Sequence, residues 1–200
     1  MQTIRRRLSG LTAALALGLA ASGAAQGMGN PGREMMPASD LRVGLNNLLA
    51  EHVYLAGAAG ALDANSIALS KAIGSVYGAD AEVAFLALWR KHIGFVVDYT
   101  TGVATKDKTK SDKSVQDLQG YANDFGAFLG VANPNLPTAV VADLVRTHIV
   151  TLKSVIDAQA AGNQATAFLK AREAAAHMQM IADPLAAAIA KQFPERFASR

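Results

Sequence analysis

Cysteine is absent from all 200 residues. That excludes disulfide scaffolds, zinc fingers, iron–sulfur clusters and blue-copper sites, all of which need thiolates. Aromatic residues make up only 6% of the chain and charged residues 18%. An aromatic-rich nucleic-acid surface and a disordered polyelectrolyte both find little material here. Proline occurs six times, and long stretches between prolines leave room for long helices. No window alternates β-branched and polar residues, so strands are not expected. There is no G-x-S-x-G, no Walker loop and no H-E-x-x-H, which leaves hydrolase and nucleotide-binding chemistry without a motif.

One apolar run stands out, and it lies at the start. Arg5, Arg6 and Arg7 precede Leu8 to Ala20, and small residues from Ala21 to Ala25 follow. This is the pattern of a secretory signal peptide over residues 1–25, too short for a membrane span. The expected location is the periplasm or cell envelope, with no transmembrane segment in the mature chain. The 19 basic residues less the three arginines of that segment leave 16, against 16 acidic residues. The basic balance thus belongs to the leader, and net charge gives no reason to expect a nucleic-acid partner. Residues 26–39 read as a flexible leader and 40–197 as one domain.

That domain reads as all-α. Leu41, Leu45, Leu48, His52, Leu55 and Ala59 recur at helical spacing. So do Phe85, Trp89, His92, Val96, Tyr99 and Val103, and then Leu118, Tyr121 and Phe125. Val141, Val145, His148, Leu152 and Val155 form another stripe. Ala167, Ala171, Ala174, Met178, Ile181, Leu185 and Ile189 form the last. A shorter helix is expected over 64–77 behind an Asp63 cap, and Lys106 to Lys113 read as a solvated turn. Pro184 is expected to kink or split the last helix. The expected architecture is an up-and-down bundle of three helical hairpins, about six helices.

The four histidines of the chain fall one to a long helix: His52, His92, His148 and His177. The first three stand where a leucine would be expected, within the related stretches Leu49 to Val53, Trp89 to Ile93 and Val145 to Ile149. In an alternating bundle their helices run parallel, so the three share one height. A histidine taken alone is more often a core residue with a backbone or tyrosine partner, and Tyr54, Tyr99 and Tyr121 are candidate partners. Three in one layer would bring three desolvation costs together, which points to a shared metal ion. His177 is the fourth candidate ligand. Glu173 and Met180 lie four before and three after it, on its face of the helix. Trp89, one turn before His92, is a candidate shield for the site, or simply its largest packing residue.

The ligand set narrows the metal. No histidine has a carboxylate three residues earlier, as a di-iron carboxylate bundle requires, and the oxygen cages of calcium or magnesium are missing. Zinc or copper fits imidazole best, and copper leads by the Irving–Williams order. Haem iron held by two histidines ranks lower. The most concrete activity expected of such a site is dismutation of superoxide, a small anion. A copper chaperone or buffer is the alternative, and a structural envelope protein that docks a partner through its outer faces is the third reading.

Three segments also carry a resemblance. With Leu49 to His52, Trp89 to Tyr99 and Ala176 to Met178, the chain resembles exported bacterial helical proteins. These are similar to the helical regions found beside copper-amine-oxidase-type N-terminal domains. The likeness spans nearly all of 40–197. It implies an exported helical bundle and says little about activity, since the oxidase name belongs to the neighbouring domain.

Overall fold

Helical periodicity carries almost all of the described residues. The computed structural model describes residues 36–55 and 59–198. The signal peptide expected at 1–25 and most of the leader lie outside them. Six helices follow one another: α1 (Ala38–Tyr54), α2 (Ala59–Tyr77), α3 (Ala79–Thr105), α4 (Lys108–Ala132), α5 (Thr138–Ala160) and α6 (Gln164–Gln192). The all-α bundle is as expected. One short exception is a parallel pair of two-residue strands, β1 (Met36–Pro37) and β2 (Phe197–Ala198), which ties the start of the domain to its end. Pairing of this length needs no alternating sequence, only two segments flanking the bundle brought together by the helices.

Each turn has a local cause. Gly78 separates α2 from α3 with φ +93°, and Gly162 precedes α6 with φ +74°, backbone that favours glycine. The Asn163 side chain accepts from the Thr166 amide at 3.0 Å and caps α6. Between α4 and α5 the Asn133–Pro137 break turns on Asn133, fully buried. Its Nδ2 donates to the Tyr77 hydroxyl at 3.0 Å, and its Oδ1 accepts from the Asn135 amide at 2.9 Å. Two expectations are corrected, and one alternative of a third is ruled out. The lysine-rich stretch is a turn only at Lys106 and Asp107; from Lys108 on it is helix. The Asp107 side chain caps it through the Lys110 amide, and the pairs Lys108–Asp112 and Lys113–Asp117 lie at helical spacing. Asp63 is not a cap, because α2 begins at Ala59. It instead receives the Arg90 guanidinium from α3 at 2.9 and 3.0 Å. Pro184 does not split α6, which runs unbroken from Gln164 to Gln192.

The helices alternate in direction. One end of the bundle gathers the close of α2, α4 and α6, where Gln192 bonds both Tyr77 and the Ala132 carbonyl. Each helix packs on its chain neighbours, and α1 packs on α6, closing the ring. The apolar stripes meet inside, from Leu45 and Leu49 of α1 round to Met178, Leu185 and Ile189 of α6. Close approach of α4 to α5 depends on Gly126, where an added Cβ would lie 2.5 Å from the Thr138 carbonyl oxygen. Gly126→Ala is expected to cost about 1–3 kcal/mol through forced separation of the two helices, read as a lowered urea midpoint with unchanged slope.

Candidate metal centre

Three of the four histidines lie in one buried layer, and two of them touch. His52 is residue 15 of α1, His92 residue 14 of α3 and His148 residue 11 of α5. All three helices run the same way, so each ring starts about 15–21 Å along its helix. Each replaces an apolar residue on its helix's buried stripe. The exposures are 5% for His52, 5% for His92 and 7% for His148. The Nε2 atoms of His52 and His92 lie 3.3 Å apart. The His148 ring centroid is 6.4 Å from that of His52. As they stand, no three His, Asp or Glu side chains among the described residues are gathered closely enough to hold a metal ion. The arrangement is a tight pair with a third imidazole set back from it.

Aromatic rings wall the pair. The Trp89 ring lies 4.9 Å from His52 and 4.6 Å from His92 between centroids, and Phe85 stacks on its far side at 5.2 Å. Tyr121 stacks on His92 at 4.8 Å. Burial pushes the Tyr121 hydroxyl well above its ordinary range, so it stays a neutral phenol. None of the three tyrosines serves as a hydrogen-bond partner to a histidine. Tyr54 is exposed, Tyr99 donates to Asp157 at 2.6 Å, and Tyr121 offers its ring face.

Burial sets the protonation state. It lowers His52 to about 4. Burial, helped by the nearby His52 and His177, lowers His148 to about 3. His92 falls well below 6.5, first by burial and then by His52 and His148. The Trp89 carbonyl, one turn earlier, pulls weakly the other way without taking a full hydrogen bond from Nδ1. All three imidazoles are therefore neutral at pH 7, the form that binds metals. Their Nδ1 atoms, and Nε1 of Trp89, are buried without a partner.

The other expected ligands lie elsewhere. His177 is half-buried, and its Nε2 donates to the Leu144 carbonyl at 3.1 Å. Glu173 is exposed and pairs with Lys170 at 2.7 Å. Met180 is 59% exposed. The buried stripe of α6 centres on Met178, 1% exposed. At about 100° per residue, His177 sits on its border and Met180 far round the helix. Sharing a face with one another brought Glu173, His177 and Met180 together, but that face is not the core face. Sequence reasoning missed Met178 and Ile181 as neighbours of the site. Both line a small apolar cavity that His92 and His148 also border. Their place on the stripe was legible; the void between the stripes was not.

Comparison with protein-family models, with curated proteins and with solved structures returns no match. No helix among the described residues is long and apolar enough to cross a membrane.

Proposed function

We propose that this is an exported helical-bundle protein that binds one transition metal ion, copper by preference, through His52, His92 and His148. The observation that carries this reading is the 3.3 Å separation of the His52 and His92 Nε2 atoms. Two nitrogens bound tetrahedrally to one ion at 2.0–2.1 Å are about 3.3–3.4 Å apart. The pair therefore has the spacing of two ligands, both rings are neutral, and His148 is the third imidazole of the layer. Copper and zinc both take imidazole nitrogen, and copper is held more tightly at an equal site. The arginine-led apolar segment at the start supports the location.

Superoxide dismutation asks for a route by which an anion reaches the metal. The side chains around the histidines are aromatic and aliphatic, so the site favours copper buffering or delivery over turnover of an anion. A second reading has its own support: 3.3 Å is also a hydrogen-bond distance, and two neutral imidazoles can share one proton with no metal. The bundle would then be a structural envelope component.

Untagged, metal-free protein titrated with copper and, separately, zinc distinguishes these. Binding of one equivalent is expected, with nitrogen hyperfine structure in the copper(II) resonance spectrum. His92→Leu should weaken affinity at least 100-fold, while Met180→Leu and Glu173→Gln should leave it unchanged. A folded wild-type protein that binds neither metal stoichiometrically would leave the histidine pair as a core hydrogen bond.

A further inference from the structure

The histidine layer does not fill its own space. A cavity of about 40 Å³ lies at the centre of the bundle, bounded by His92 and His148 and by apolar side chains that include Leu49, Ile73, Phe125, Ile149, Met178 and Ile181. By the usual threshold of about 10–15 Å³ for one water molecule, there is room for two or three, or for one diatomic molecule. Water in a cavity needs two to four polar partners, and an apolar cavity stays dry. Here the wall is almost wholly hydrocarbon and aromatic.

We infer that this cavity is a binding site for one small, neutral, apolar molecule of the dioxygen class. Such a ligand gives up little hydration on entry and meets dispersion contacts on every side. Its only polar neighbours are the rings of His92 and His148 and the Trp89 and Tyr121 side chains beside them. The site requires no metal, so it goes beyond the metal-binding reading. Were the metal also present, the two occupants would be neighbours, since His92 and His148 border the cavity.

Xenon and dioxygen are the probes, used on the full folded protein in metal-free and copper-loaded forms. Crystals pressurised with xenon should show one xenon atom against Ile149, Met178 and Ile181. In solution, dissolved dioxygen should speed relaxation of those methyl groups at least several-fold more than of other buried methyls. Val145→Ile and Ile149→Phe, each adding volume at the wall, should weaken xenon binding about tenfold while the circular-dichroism spectrum stays native. Ordered water filling the cavity, or xenon retained unchanged in both folded variants, would overturn the inference. The two proposals fail separately. Copper binding without xenon sinks only the cavity site, and xenon binding without copper sinks only the metal site.

Discussion

Metal-free protein is expected to lose stability steeply between pH 6.5 and pH 4, and the three core histidines are the cause. Their folded pKa values lie below the ordinary 6.5: about 4 for His52, about 3 for His148, and well lowered for His92. In the unfolded chain the same rings return to about 6.5 and take up protons that the folded core refuses. The unfolded state thus binds more protons throughout that window, so stability rises with pH across it. It is complete above about pH 6.5 and falls as pH drops towards the folded values. Each histidine held neutral costs about 1.4 kcal/mol per pH unit well below 6.5, so three together cost about 4 kcal/mol per unit. Against a total stability of about 5–15 kcal/mol, that is enough to unfold the bundle near pH 4–5. Urea denaturation at half-unit steps from pH 7.5 to 5 measures the slope above the range where free carboxylates titrate. Replacing His52, His92 and His148 by leucine should flatten it, and should leave stability at pH 7 equal or higher, since three unpartnered polar atoms leave the core. Equal slopes in the wild-type and leucine proteins would show that the histidines are not held neutral. Copper at a thousand times its dissociation constant should add about 4 kcal/mol at neutral pH and lose that advantage on acidification, as protons displace the metal.

The second large effect belongs to Trp89. Its ring packs against His52, His92, Phe85 and Phe125 and is 5% exposed. Trp89→Ala removes the largest side chain in the layer and is expected to cost about 3–5 kcal/mol. Trp89→Phe keeps most of the ring contacts and deletes an indole N–H that has no partner. It is expected to cost no more than about 1–2 kcal/mol, because lost area is partly offset by the removed polar group. Chemical denaturation followed by circular dichroism measures both, since Trp89 is the only tryptophan and fluorescence disappears with it. Water entering the alanine variant should also return His52 and His92 towards pH 6.5, visible as an upward move in their proton-resonance titrations. An alanine variant within about 1 kcal/mol of wild type would show that Trp89 is not what encloses the pair.

The helices and the histidine layer were legible for the same reason. A residue on an apolar stripe goes inside whatever its chemistry, and alternating helix directions put equivalent positions of α1, α3 and α5 at one height. The misplaced elements each have a physical reason. Lys106 to Lys113 looked like a loop by composition, yet i,i+4 ion pairs and the Asp107 cap make charged residues good helix material. Glu173 and Met180 were grouped with His177 by mutual spacing, but spacing within one helix does not say which side the core lies on.

Stripe periodicity and turn chemistry, both local, determine from sequence alone that this protein is a helical bundle with three imidazoles in its core. Tertiary packing alone decided the rest. The rotation of each helix and the rotamer of each ring bring Nε2 of His52 to 3.3 Å from Nε2 of His92, while the His148 ring stays 6.4 Å from that of His52. Those distances, and the cavity beside them, depend on how bulky side chains from all six helices interlock. Ångström-scale fit of that kind is a property of the assembled core and is carried by no single stripe.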